Sequence, residues 1–289
     1  MKKILTAILA LTMTAALTAC GGSASSQAPA SSVPAPASSE PASSEAASSE
    51  PASSEIAAET PNIDRIKSAG KIVMCTNLAF PPFEYVDDNG EAAGVDVDIS
   101  KEIAKDLGVE LEIIDMNFDL IIDSVKTGKA DFSAAGMTIK PERLEQIDFS
   151  DEYVKSAQYV IIKAGSGVTA DKLDGLVIGV QEQTTGDFYA TDEIQAKDVL
   201  RFKSGIEAGM ALQAGKCDAV IIDKLPAESI AANSNGELET LPDSLTEESY
   251  AIAIKKDSPD LVAAINATLA RLTSEGKIDE LVTKHMTEA

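Results

Sequence analysis

From Pro61 onward the chain alternates short apolar runs with longer stretches that carry an apolar residue every three or four positions. Lys71 to Thr76 (KIVMCT) is β-branched and apolar on both faces, the pattern of a strand covered from both sides. Val97 to Leu107 places Ile99, Ile103, Ala104 and Leu107 on one helical face, with Asp96 as expected N-cap and Gly108 as stop. Leu111 to Ile114 predicts a second strand, Phe118 to Lys126 a helix stopped by Gly128, and Asp131 to Ala135 a third strand ended by Gly136. A short helix is then expected over Pro141 to Gln146, with proline at its first position. Strand and helix alternating through short connections predict a mostly parallel sheet flanked by helices.

The pattern recurs further on. Val125 to Asp131 (VKTGKAD) aligns with Leu212 to Asp218 (LQAGKCD): a helix end, a stopping glycine, Lys-x-Asp and an apolar strand. Leu176 to Val180 (LVIGV) parallels the first strand, and a helix starts just after Thr184-Thr185-Gly186. Two α/β domains of similar construction are therefore expected. The extended runs Lys155 to Ile162 and Ser249 to Ile254 bracket the second and are expected to be the chain crossings. That makes the first domain discontinuous, 61–156 with 251–289, around a second at 157–250. Ser258-Pro259 opens a long helix to about Ser274, and Ile278 to His285 predicts a last one packed back on the first domain.

Upstream of Pro61 the composition changes. Lys2 and Lys3 precede an apolar run, Ile4 to Leu17, that is short for a membrane span and fits a secretory signal peptide. It ends in Leu17-Thr18-Ala19-Cys20, which resembles the lipobox of bacterial lipoproteins. The resemblance implies that residues 1–19 are removed and that lipid is placed on the Cys20 sulfur. Residues 20–60 reduce to Ala, Ser, Pro and Glu, with ASSE recurring at Ala37, Ala42, Ala47 and Ala52. Such a stretch buries no core and reads as a disordered tether. The expectation is a cargo domain lipid-anchored at the cell membrane, outside the cytoplasm.

Charge and composition narrow the chemistry. A formal net charge of -23 over 289 residues argues against a nucleic-acid partner. One histidine, His285, and three cysteines leave no metal cluster and no disulfide scaffold. Cys75 and Cys217 fall in predicted strands of different domains and read as buried thiols. His285, near the end of the last helix, reads as structural. No catalytic residue, metal or cofactor is expected, and the chain is expected to be a monomer.

Ligands of open parallel sheets bind beyond the C-terminal strand ends. Those ends carry Asn77 and Phe80, Gly136 and Thr138, Thr184 and Thr185, and Asp223, which the repeat alignment sets opposite Gly136. Arg143 sits in a first helical turn, where a cation is disfavoured unless it holds an anion. Taken alone, Arg143 is better accounted for by a surface pair with Glu142, Glu145 or Asp148, and N-capping accounts for Asp223 as well as a ligand role does. A guanidinium and a carboxylate on two facing walls, with a helix N-terminus between, suit an α-amino acid. Glu84 and Glu182 flank the same cleft and are open to either a ligand or a surface role.

FPPFEY at Phe80–Tyr85, GVDVDI at Gly94–Ile99, GMTIKPER at Gly136–Arg143, IDFSDEY at Ile147–Tyr153 and TTGD at Thr184–Asp187 together resemble the polar amino-acid substrate-binding proteins of ABC importers. The resemblance spans 61–289 and implies a two-domain periplasmic-binding-protein type II (Venus-flytrap) fold that closes by hinge motion. It implies a receptor that delivers a free amino acid to the permease and ATPase of an importer. Carried over, Arg143 grips the ligand carboxylate with Thr138 and the Thr185 backbone, Asp223 and the Gly136 carbonyl take the amino group, and Phe80 and Phe118 flank the side chain. Asn77 stands where relatives selecting cationic side chains often carry Asp, and Gln183 replaces a common glycine. Neutral side chains ahead of arginine and lysine are therefore expected. The alternatives are an enzyme on the same fold, resembling cyclohexadienyl dehydratase with Glu182 as its candidate acid, and a ligand-sensing module.

Overall fold

A computed structural model describes residues 59–288; the expectations for residues 1–58, the lipidated Cys20 among them, lie outside the described residues. Thirteen strands and nine α-helices follow one another among those residues. In the first half they are α1 (Pro61–Ala69), β1 (Lys71–Thr76), β2 (Ala79–Phe80), β3 (Glu84–Val86), β4 (Ala92–Ala93), α2 (Val95–Leu107), β5 (Glu110–Asp115), α3 (Ile121–Lys126), β6 (Phe132–Ser133), α4 (Pro141–Leu144) and β7 (Ile147–Ser156). The second half runs β8 (Gln158–Lys163), β9 (Val177–Gln181), α5 (Thr185–Asp192), β10 (Asp198–Phe202), α6 (Gly205–Gln213), β11 (Ala219–Asp223), α7 (Lys224–Ala232), β12 (Leu238–Thr240), β13 (Glu248–Lys255), α8 (Pro259–Ser274) and α9 (Lys277–Glu288).

Two five-stranded sheets form the lobes, in the orders β5-β1-β6-β13-β7 and β10-β9-β11-β8-β12. Three strands of each are parallel, and β13 and β8 join them antiparallel. The two orders superimpose term by term, so the sequence repeat is a repeat of topology. Its Lys-x-Asp motif has a physical role. Asp131 Oδ2 accepts from the Val73 amide and Asp218 Oδ2 from the Val177 amide, each at 2.8 Å. The aspartates return the bond through their own amides, to the carbonyls of Val73 and Val177. Each motif thus clips the start of its third strand to its first strand.

The chain crosses between lobes at Ala157, between β7 and β8, and again between Thr240 and Glu248. Ser249 to Ile254 is therefore not a crossing. It lies inside β13 of the first sheet, because its apolar side chains are fully buried there against β6 and β7. Cys217 differs too: it sits in the turn before β11 rather than in a strand. Both free cysteines are buried, and burial pushes each thiol up to about 11.

Asp96 is not the cap of α2. Gly94 holds that position, where any Cβ would lie 2.1 Å from the Phe83 carbonyl oxygen. The Asp96 side chain is fully buried instead, accepting from the Gly136 amide (2.8 Å) and the Tyr153 hydroxyl (2.8 Å). This bond fixes the turn after β6, where Gly136 adopts φ +53° and a Cβ would meet the Phe80 ring at 2.6 Å.

Candidate functional site

A narrow cavity lies between the lobes, beyond the carboxyl ends of β1, β6, β9 and β11. Asn77, Phe80, Phe118, Gly136, Thr138, Arg143, Thr184, Thr185 and Asp223 all line it, and so do Glu84, Ala135 and Gln181. Local folding explains how these residues converge. β1 and β6 end at the cleft with Asn77 and Gly136, the Gly136 turn leads through Thr138 into α4, and α4 carries Arg143. From the second lobe, β9 ends at Gln181, Thr184 caps α5 by accepting from the Asp187 amide, and β11 ends at Asp223.

Arg143 is 5% exposed, which removes the surface-pair reading. Its guanidinium donates to the carbonyls of Thr138 (2.9 Å) and, across the cleft, Gln183 (3.1 Å). It also lies over the Phe118 ring, 5.5 Å from the centroid. Desolvation lowers its pKa to about 10, against the fields of Glu248 and Asp223, so it is a cation at neutral pH. Asp148, one of the expected surface partners, pairs with Lys256 instead. A buried cation whose hydrogen bonds go to neutral carbonyls is an anion site in waiting.

Asp223 stands at the N-cap of α7, yet its side chain makes no capping bond. It accepts from Ser156 Oγ (3.1 Å) and is 4% exposed. Burial, then the neighbouring Glu248, raise its pKa to about 6. A carboxylate forced into a dry wall at that cost gains most from a cation.

At another end of the cavity Gln181 Nε2 donates to Asn77 Oδ1 across the cleft (3.0 Å), and Asn77 Nδ2 donates to the Met116 carbonyl (3.1 Å). Gln181 Oε1 is buried without a partner. Outside, Lys203 bridges Asp119 of one lobe and Glu182 of the other. Glu182 is therefore a latch residue at the mouth and no part of the cavity lining.

The sequence reading missed Gln181 and Glu248 and left Glu84 undecided. Glu248 Oε2 accepts from the hydroxyls of Thr138 (2.6 Å) and Thr185 (2.9 Å), one from each lobe, at the root of the second crossing. No sequence motif announced it. Gln181 had a signal, since it closes the apolar run that parallels the first strand. Among the described residues no cluster of His, Cys, Asp and Glu has the arrangement of a metal site.

This architecture matches known proteins. The model of the bacterial extracellular solute-binding proteins, family 3, matches residues 72–288, and the chain belongs to that family. It is 32% identical over 226 residues to the arginine-binding extracellular protein ArtP of Bacillus subtilis, covering 75% of this chain and 86% of that protein. The L-cystine-binding protein TcyJ of Escherichia coli is 26% identical over 225 residues, 77% of this chain and 85% of its own. Among solved structures, a mutant of ArgBP from T. maritima superimposes with a TM-score of 0.73 at 40% identity, covering 78% of this chain and 99% of that one. The fold is the two-domain type II periplasmic-binding-protein architecture, and the named relatives are binding proteins.

Proposed function

We propose that the protein is an extracytoplasmic receptor that captures a free α-amino acid between its lobes and hands it to the permease and ATPase of an ABC importer. The observation that carries this reading is the buried Arg143 on one wall and the buried Asp223 on the other, lining one cavity with the N-terminus of α5. Arg143, the Thr138 backbone and the α5 amides at Thr184 and Thr185 receive the carboxylate. Asp223 and the Gly136 carbonyl receive the ammonium, with Phe80 and Phe118 against the side chain. Asn77 and Gln181 read its tip. Both are neutral amides, and the unpartnered Gln181 Oε1 asks for a donor, so side chains with neutral hydrogen-bond donors are favoured over arginine and lysine.

The receptor is held at the membrane by lipid on Cys20 after removal of residues 1–19, with residues 20–60 as tether, and acts as a monomer. An enzyme resembling cyclohexadienyl dehydratase finds less support, because Glu182, its candidate acid, stands outside the cavity in a pair with Lys203. A thermal-shift screen of the common L-amino acids and L-cystine tests the receptor reading. A ligand at a hundredfold its Kd should stabilise the protein by about 2.7 kcal/mol. No stabilisation by any of them would sink it, and turnover of arogenate would favour the enzyme.

A further inference from the structure

Thr138 and Thr185 line the cavity from opposite lobes, both buried, and one carboxylate behind them joins the two. Thr138 follows β6 and is bridged to Tyr250 of β13, while Thr185 is the first residue of α5. Glu248 opens β13 and stands opposite Ser156 of β7, so it belongs to the first lobe with Thr138. Its Oε2 accepts from Thr138 Oγ1 (2.6 Å) and Thr185 Oγ1 (2.9 Å), and its Oε1 from Thr246 Oγ1 (2.9 Å). Gln158, the first residue of β8, continues the network into the second lobe. Its Nε2 donates to Thr185 Oγ1 (3.0 Å) and its backbone amide to Thr246 Oγ1 (2.8 Å). Glu248 is thus the middle of a hydrogen-bond chain that passes from one lobe to the other beside both crossings.

Each threonine hydroxyl has a single proton to give. Both protons go to Glu248, so neither is left for a ligand carboxylate, which falls to Arg143 and to backbone N–H groups. Thr138 also carries the carbonyl that accepts from Arg143 at 2.9 Å. Holding Thr138 in place therefore holds one of the two acceptors that aim the guanidinium.

We propose that Glu248 is a positioning residue of the amino-acid site, which assembles its carboxylate end by tying Thr138 to Thr185 across the cleft. This deepens the receptor reading and rests on it. Thr138 and Glu248 share the first lobe and stay together when the lobes part. Thr185 moves with the second lobe, so its bond to Glu248 forms only at closure. That bond raises the fraction of protein in the closed, binding-competent form, and apparent affinity rises with that fraction.

Calorimetry of the wild type, with each common L-amino acid and L-cystine as separate titrants, identifies the tightest of them. That titrant is then applied to Glu248→Ala, Glu248→Gln, Thr185→Val and the double variant Glu248→Ala with Thr185→Val. Glu248→Ala should weaken binding roughly tenfold to a hundredfold, as expected for lost hydrogen bonds to an ionised group. Glu248→Gln should stay within about threefold of wild type, because its oxygen takes both hydroxyl protons and its amide donates to Thr246. The double variant should bind no worse than the weaker single variant, since both remove the same bond. A merely structural Glu248 predicts costs that add. Additive costs, no rescue by glutamine, or near-wild-type affinity in Glu248→Ala each overturns the proposal. Should Glu248→Ala not fold, Thr185→Val alone decides, because valine keeps the shape of threonine and wild-type affinity there removes the bond's role. An absence of binding heat with every titrant on the wild type instead overturns the receptor reading, and this proposal with it.

Discussion

Arg143→Ala should abolish useful affinity while leaving the free protein folded. The side chain is 5% exposed and spends its hydrogen bonds on two carbonyls, and among the described residues no carboxylate forms a salt bridge with it. A ligand carboxylate would therefore be its first full counter-charge. Removing one member of such a buried pair costs about 2–5 kcal/mol. At 1.4 kcal/mol per tenfold, that is a loss of roughly 30- to 4,000-fold in Kd. Arg143→Lys should recover little, because a single ammonium cannot span the carbonyls of Thr138 and Gln183 and still present two parallel N–H groups. The free protein loses two hydrogen bonds to carbonyls and sheds a desolvated charge. These changes oppose each other, so melting temperature should move far less than affinity. Calorimetry with the amino acid that the thermal screen identifies reads both variants. Affinity within a few fold of wild type in Arg143→Ala would refute the carboxylate assignment and with it the reason for expecting an α-amino acid.

Asp223→Asn should also weaken binding by more than tenfold, since the amide keeps the bond from Ser156 but removes the counter-charge for the ammonium; equal affinity in that variant would move the ammonium elsewhere. Asp96 and Asp223 are raised to about 6 in the folded chain from an ordinary 3.8. A raised acid stabilises the fold below its unfolded pKa, and this is lost as pH rises through the folded value. The free protein should therefore be more stable at pH 5 than at pH 7, by roughly 1.3 kcal/mol for each group, and a higher melting point at pH 7 would contradict the burial of the pair. Ligand affinity should run the other way and fall below pH 6. Cys20→Ser expressed in a bacterial host should leave the membrane fraction once its signal peptide is removed, and retention there would end the lipid-anchor proposal.

Much of the fold was legible because periodicity and stopping glycines mark local structure. Gly108, Gly128 and Gly215 all take φ between +71° and +73° at helix ends, where the chain must turn back to a strand. Long-range pairing was not legible. β10 and β12 have weak apolar patterns, and their places at or near sheet edges follow from partners far away in sequence. Asp96 shows why the site was only partly readable. A carboxylate one residue into an amphipathic helix looks like a cap, and only the Gly136 turn, forty residues on, reveals its task. Glu84 stayed open for the same reason. An acid in a proline-rich loop beside the cleft suits a ligand or a surface role, and only the small sheet of β2, β3 and β4, which folds that loop against the core, buries it. Strand ends succeeded because topology alone sends them to the cleft.

The repeat can be carried one step further than the aligned motifs. The Asp clips place Val73 opposite Val177, which sets Asn77 opposite Gln181, and these two amides meet across the cleft at 3.0 Å. The same motifs set Gly136 opposite Asp223. A repeated lobe topology closing on its copy tends toward a symmetric cleft, and a pair of equivalent amides touching across it is what that symmetry produces. A zwitterion is polar, so a cleft that holds one must break the symmetry. It is broken at Gly136 and Asp223, where one lobe offers a bare backbone turn that lets Phe80 and the α4 residue Arg143 close in, and the other offers a carboxylate. Of the two aligned strand-end pairs, only the non-equivalent one brings a charge, that of Asp223, while Asn77 and Gln181 are both neutral. In the proposed clamp, orientation of the amino acid would thus be set by where the two lobes differ, and recognition of its side chain would fall to the place where they remain alike.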